Sequence, residues 1–350
     1  MSSISLCMIV RNEEKMLERC LNSVKKVVDE IIIVDTGSTD STKSIAKKFT
    51  NKIFDFKWCD NFSLARNYSF SKATCDYIMW LDADDVIPRE SAKKIIKLKS
   101  FFNKDVYMLK YDIAFYNNKS TFSYYRERIV KNCSKSIWKG VIHECITPFG
   151  EIEYLDISIH HKKTESRYSD RNLKILKNII KERKLTPREM YYYGRELFDN
   201  KKYKKSITVL KQFINTDNVW SENVIDACYL ISICFERLNN EKCQMEYLLK
   251  TFYLDKPRAN ICCKIGDVFL KNKKYEVAIF WYKQAIQCEN IAQKGGFVEE
   301  MFYNYYPLLQ LCCCYYYIGN IEEAKKYNEK AGNFFESDVV KNNREFFNKI

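Results

Sequence analysis

Glycine and proline are scarce in this chain, at 9 and 5 of 350 residues. That excludes collagen-like and Gly/Pro-rich low-complexity architectures. No apolar run approaches the roughly 18 residues that cross a bilayer, so no transmembrane segment is expected. The opening stretch, MSSISLCMIVRNEE, lacks a basic start and turns charged at once. It reads as a first strand and not as a signal peptide, and a cytoplasmic location is expected. None of the 15 cysteines forms a CxxC pair, and several cluster in apolar helical text as Cys262-Cys263 and Cys312-Cys313-Cys314. Zinc knuckles and thioredoxin-like motifs are therefore not expected, and the thiols read as small buried hydrophobes.

What is present describes a globular chain. Hydrophobic residues make up 46% and charged residues 29%, enough apolar surface to offset chain entropy and exclude wholesale disorder. The length predicts about two domains. Lys+Arg 58 against Asp+Glu 45 leaves a net charge of +13. Much of the lysine lies on helix faces, as in Lys201, Lys202, Lys204 and Lys205. Such a surface suits an anionic sugar nucleotide, a membrane surface or an acidic acceptor. No nucleic-acid motif accompanies it, and no nucleic-acid partner is expected.

The pattern changes character near residue 165. Strand-like runs at Ile4–Val10, Glu30–Asp35, Ile53–Phe56 and Asp76–Leu81 alternate with helical text at Glu13–Val27, Thr39–Phe49 and Phe62–Lys72. This rhythm predicts a largely parallel sheet with helices on both faces. A helix around Ser91–Phe102 and strands at Val106–Phe115, Ser123–Lys131 and Ile152–His160 follow. Beyond Arg167 the text is helical, with a weak repeat opening at Asn200, Asn240, Asn272 and Gly319. Equivalent positions Tyr203, Cys243, Tyr275 and Ile321 are separated by 40, 32 and 46 residues. Those gaps scatter around the roughly 34-residue tetratricopeptide period. Small residues Ser206, Ala278 and Ala324 recur where helices pack closely, and stacked helix pairs form a groove suited to a partner or acceptor. The aromatic runs Phe302–Pro307 and Tyr315–Tyr317 suit either a solenoid-end cover or a homodimer contact.

Chemistry concentrates at strand ends. Trp80-Leu81-Asp82-Ala83-Asp84-Asp85 closes a buried strand with three carboxylates in four residues. Ligands of open α/β sheets bind beyond the carboxyl ends of strands. An Asp-x-Asp pair there suits a hard divalent ion that in turn grips a diphosphate. Asp85 alone also reads as a helix N-cap. The first strand runs into Arg11-Asn12-Glu13-Glu14, and the second into Asp35-Thr36-Gly37-Ser38-Thr39-Asp40. Asp35 suits base or ribose hydroxyls, and Ser38 or Thr39 a helix cap. Arg66, one turn into the helix opened by Asn61-Phe62-Ser63, has the reach for a diphosphate oxygen. The three histidines lie in one window. His143 sits beside Glu144 in a glycine-containing turn that suits a general base. His160 and His161 end a strand, so at most one of them faces the site.

These motifs, in this order, resemble the family 2 glycosyltransferases: Arg11-Asn12-Glu13, Val34–Asp40, Asn61–Asn67, Leu81–Asp84 and Gly140–Glu144. The resemblance covers roughly residues 1–165 and implies the α/β GT-A fold, a nucleotide-diphospho-sugar transferase domain (1–165). An all-α tetratricopeptide-like solenoid (166–350) follows it. With that tail the chain is similar to bacteriocin peptide S-glycosyltransferases of the sublancin type. Lipopolysaccharide-core glucosyltransferases share the N-terminal motifs. The resemblance assigns Arg11, Glu13, Asp35, Ser38, Arg66, Asp82 and Asp84 to a UDP-sugar donor. Mg or Mn falls to Asp84, Asp82 and His160 or His161, and base catalysis to Glu144 beside His143. Many family members carry a Glu-Asp pair where this chain has His143-Glu144. The implied activity is inverting, metal-dependent sugar transfer to a peptide or protein Cys, Ser or Thr, held with the help of the helical domain. A lipid-linked or cell-surface glycan is the second acceptor, and a catalytically inactive repeat adaptor is the reading from another class.

Overall fold

The computed structural model describes residues 2–116, 119–162, 170–289 and 298–349. The chain forms two compact units, Met1–Lys184 and Leu185–Ile350. The boundary expected at 165/166 lies outside the described residues.

Strands β1 (Ile4–Val10), β2 (Glu30–Asp35), β3 (Ile53–Asp55) and β4 (Tyr77–Trp80) alternate with helices α1 (Leu17–Val24), α2 (Thr42–Ala46) and α3 (Phe62–Phe70). They lie side by side as β3-β2-β1-β4, all parallel. Two short pieces follow, β5 (Asp85–Val86) and α4 (Arg89–Leu98), then the long strands β6 (Val106–Tyr116) and β7 (Lys119–Lys131). β7 joins β4 antiparallel and β6 joins β7 antiparallel. After the small hairpin β8 (Trp138–Lys139) and β9 (Cys145–Ile146), strand β10 (Ile152–His161) runs parallel to β6. β5 pairs antiparallel with the end of β10, His161 opposite Asp85. The sheet is thus mixed, not uniformly parallel.

Alternation along β1 explains the two cores. Ile4, Leu6, Met8 and Val10 point to one face, where they bury against Leu17, Cys20, Leu21 and Val24 of α1 and Ile95 of α4. Cys7 points to the other face, with Ile32, Ile78, Trp80, Phe70 of α3 and Trp138 of β8. Period 2 in the strand and 3.6 in the helix match these assignments. α2 is shorter than the text at 39–49 suggests, and ahead of it the Thr39 N–H is taken by Asn12 Oδ1 (2.8 Å). The final helix of the first unit is α5 (Arg171–Glu182).

The second unit is built from helical hairpins. These are α6 (Pro187–Asp199) with α7 (Tyr203–Ile214), α8 (Ser221–Arg237) with α9 (Glu241–Lys250), α10 (Ala259–Lys271) with α11 (Tyr275–Gln287), and α12 (Tyr305–Tyr317) with α13 (Ile321–Phe334). α14 (Asp338–Phe347) follows. Each hairpin turns the same way. Lys201, Asn239, Lys273 and Gly319 all have positive φ, between 55° and 82°. The next residue's N–H reaches back to a carbonyl in the last turn, as in Lys202 to Leu197, Asn240 to Phe235, Lys274 to Phe269 and Asn320 to Tyr315, at 2.8–2.9 Å. That is the Schellman closure of a helix end. Ser206, Ala278 and Ala324 are fully buried, and the Ser206 hydroxyl donates to Gly194 O across the first hairpin (2.8 Å). The repeat expected from spacing is present as a recurring turn and a recurring small residue.

Candidate active site

The carboxyl ends of β1, β2 and β4 carry three loops, and the first two bond to each other. Asn12, at φ 54°, donates its N–H to Ser38 Oγ (3.0 Å), and Thr39 N–H returns to Asn12 Oδ1. Glu13 N–H donates to Thr42 Oγ1 (2.7 Å). Asp35 is 1% exposed, and its Oδ1 accepts the N–H groups of Gly37 (2.9 Å) and Ser38 (2.8 Å). Its Oδ2 is buried without a hydrogen-bond partner. A buried carboxylate oxygen left unsatisfied is costly, and a ligand donor here removes that cost. Ser38 therefore bonds the first loop, and Arg11 is exposed at its rim.

The acidic loop after β4 is held from beneath. Asp85 is fully buried and does not cap a helix: α4 opens later, after Pro88. Asp85 Oδ2 accepts the Asp82 N–H (3.0 Å) and Arg128 Nη1 (3.0 Å). Arg128, itself fully buried, lies over the rings of Trp80 (3.7 Å) and Tyr111 (4.1 Å). Tyr111 OH donates to Asp85 Oδ1 (2.8 Å) and stands 2.8 Å from His161 Nδ1. His161 Nδ1 in turn lies 3.3 Å from Asp84 Oδ1. Asp84, Asp85 and His161 thus offer ligand atoms within 4.8 Å of one another. Because Asp85 already serves Arg128, Asp82 and Tyr111, Asp84 and His161 are the members left to hold an ion. Burial alone would lower the His161 pKa, but hydrogen bonds to Asp84 and Asp85 raise it to about 9.

Strand alternation separates the two neighbouring histidines. His160 points to the other face, 3.6 Å from Asp112 Oδ2 and against the ring of Phe115, and so leaves the ligand set. Asp82 is engaged as well: its Oδ1 accepts Arg66 Nη2 (2.7 Å). Burial would raise the Asp82 pKa, but Arg66, Arg128 and His161 bring it down to about 2.

Arg66 has a different place from the one its spacing suggests. It is 7% exposed, its Nε donates to Glu144 Oε1 (2.6 Å), and its guanidinium lies against the rings of Trp80 (5.1 Å) and Trp138 (4.8 Å), which pack edge to face on each other. Rather than reaching for a diphosphate, it ties the Asp-x-Asp loop to Glu144. The 138–144 segment is docked on α3 by paired bonds between Asn67 and Trp138 (3.0 and 2.8 Å) and by Phe62 N–H to Val141 O (2.9 Å). His143 stands in that turn with φ 48°. Arg126, 4.9 Å from the centre of the Trp80 ring, reaches Glu144 O (3.4 Å). Glu13 completes the acidic wall. Burial first, then Asp84, Asp82 and Asp40, raise its carboxyl to about 7.

Arg128, Tyr111 and Arg126 escaped the sequence reading because strand text gives no sign of which residue lies under a loop distant in sequence, 43 residues for Arg128 and 26 for Tyr111 from Asp85. The one available signal was charge: Arg126 and Arg128 sit inside otherwise strand-like text, and buried charge requires a partner.

Residues 5–151 match the model of glycosyl transferase family 2. The SPbeta prophage-derived glycosyltransferase SunS of Bacillus subtilis is 29% identical over 277 residues, 72% of this chain and 62% of its own length. A TPR repeat-containing protein of Synechococcus elongatus is 50% identical over 91 residues, 26% of this chain and 23% of its own. The chain therefore spans less than two thirds of either relative. Among solved structures, S. aureus TarS 1-349 covers 72% of this chain and 91% of that one, with 16% identity and a TM-score of 0.39. No helix among the described residues is long and apolar enough to cross a membrane.

Proposed function

We propose that this protein is a metal-dependent inverting glycosyltransferase that moves a sugar from a UDP-sugar to a peptide or protein Cys, Ser or Thr. The observation that carries the reading is the meeting of Asp84 and His161 at the end of the sheet, with Glu144 tied to the same loop through Arg66. The family 2 match over residues 5–151 and the name of the SunS relative support the reaction class. UDP is the nucleotide that the family resemblance implies.

The oxygen and imidazole donors of Asp84 and His161 fit Mg or Mn. When bound, that ion supplies positive charge against a diphosphate leaving group. The protein's own groups do the rest. Asp35 Oδ2 takes a hydrogen bond from the nucleoside, satisfying an otherwise orphaned buried atom. Arg66 fixes the distance between Asp82 and Glu144 and helps keep Asp82 ionised. Glu144 takes the proton from the acceptor hydroxyl or thiol as that atom bonds the anomeric carbon. The bond to the diphosphate breaks in the same displacement, through an oxocarbenium-like state. His143, adjacent in the turn, helps shape the acceptor side. The helical unit, with its stacked hairpins, holds the acceptor.

The test is direct. Melting of the protein is followed with Mn and a panel of UDP-sugars, and UDP release is then measured. Stabilisation by one UDP-sugar only in the presence of Mn, with UDP release, supports the reading. A panel that neither shifts melting nor releases UDP overturns it.

A further inference from the structure

Most of the cysteines lie alone in apolar cores, but two lie side by side at the open end of the α10–α11 hairpin. Cys262 is in the first turns of α10, and Cys288 directly follows the last residue of α11. Their Sγ atoms are 4.0 Å apart. The two differ in environment. Cys262 is fully buried, whereas Cys288 is partly exposed and also reaches Gln284 O (3.4 Å). Arg258, the residue before α10, is buried nearby; its Nη2 donates to Glu222 and Asp255 (2.8 Å each), while its Nε has no partner. A nearby cation favours a thiolate, and here it works against the C-terminal end of α11 that Cys288 caps. In keeping with that, the hydrogen bond from Cys262 and the charge of Arg258 outweigh burial and lower the Cys288 pKa, while the Cys262 pKa is raised. Cys312, Cys313 and Cys314, by contrast, are consecutive on one helix and point in different directions, so adjacency in sequence does not pair them.

We propose that Cys262 and Cys288 form a thiol–disulfide exchange site that accepts a low-molecular-weight disulfide such as oxidised glutathione. The accessible Cys288 thiolate attacks one sulfur of the incoming disulfide. A mixed disulfide forms on Cys288 and one glutathione thiolate leaves. Cys262 then attacks Cys288 Sγ, and its proton goes to the second glutathione sulfur, which leaves as the thiol. In sum, two protein thiols are oxidised to one disulfide while one glutathione disulfide is reduced to two thiols. The sulfurs close from 4.0 Å to about 2.05 Å, a gap that side-chain rotation at the partly exposed Cys288 can bridge. The product staples the hairpin at the end opposite its Lys273 turn, so the whole hairpin becomes a closed loop, which restricts the unfolded chain. This site belongs to the helical unit and does not depend on the transferase reading.

The reduced full-length protein is titrated with oxidised glutathione, then examined by intact mass, peptide mapping and thermal melting. The expected result is a mass loss of two hydrogens, a cross-linked Cys262–Cys288 peptide and a higher Tm. In Cys288→Ser the cross-link and the Tm rise vanish. In Cys262→Ala the glutathione adduct on Cys288 persists because nothing resolves it. Two results would overturn the proposal. One is a stable glutathione adduct on Cys288 of the unmutated protein. The other is modification confined to the exposed Cys59 while Cys262 and Cys288 remain as free thiols.

Discussion

Arg66 shows how much of the site rests on one side chain. It is buried against two tryptophans and bonds two carboxylates from segments far apart in sequence. Removing one member of a buried ion pair leaves the others uncompensated, at a cost of about 3–5 kcal/mol. Arg66→Ala should lower unfolding stability by that order in urea titrations, and Arg66→Lys, which keeps the charge but lacks the planar fork and its stacking on the tryptophans, should recover only part. The spacing Asn61-Phe62-Ser63 correctly placed Arg66 one turn into a helix. The direction it faces depends on Glu144, 78 residues on, and no local pattern carries that. Glu144→Gln should retain donor binding, read by melting with Mn and UDP-sugar, and lose transfer. A second titration belongs at the opposite end of the sheet. Burial would raise the Glu30 carboxyl, but Lys52, Ser5 and Thr74 bring it from 4.5 to about 2. A carboxylate lowered on folding stabilises the native state above the unfolded value, and that contribution is lost as pH falls from 4.5 towards 2. Glu30→Gln should therefore show a shallower fall of Tm across that window than the unmutated protein.

At the scale of elements, strand text was the most legible part. The ranges Ile4–Val10 and Glu30–Asp35 read from apolar runs coincide with β1 and β2. Buried strands are uniformly apolar and end abruptly in polar loops, so both limits are written locally. The small hairpin β8–β9 was not legible, since two-residue strands carry no period. The helical repeat was legible only weakly, because its most regular feature is backbone geometry. Its four hairpin turns share a positive-φ residue, and only one of these is glycine. Lysine in that conformation costs roughly 1 kcal/mol or more. Lys273→Gly should accordingly stabilise the protein by about 0.5–1 kcal/mol in denaturant titrations, whereas Gly319→Ala, at φ +82°, should destabilise it by a similar amount. Gly266 shows the packing side of the same design. A Cβ there would lie 2.7 Å from Tyr282 Cε1, so Gly266→Ala should cost about 1–3 kcal/mol through overpacking.

For the whole molecule, charge and composition set broad limits while the chemistry comes from a few strand ends. The net charge of +13 does not mark the site, whose wall is acidic: Glu13, Asp35, Asp82, Asp84 and Asp85 gather there. Parallel strands put their carboxyl ends on one edge, and that topology gathers residues that sequence separates widely. The histidine window was informative in the same way, although only the fold decides that His161 and not His160 meets the acids. One measurement tests this account most directly. Mn binding to the unmutated protein and to Asp84→Ala is followed by electron paramagnetic resonance, with and without a UDP-sugar. The account expects Mn to bind the unmutated protein, more tightly with the sugar nucleotide, and to bind Asp84→Ala at least tenfold more weakly while its circular dichroism is unchanged. Equal Mn affinity in a folded Asp84→Ala would contradict it.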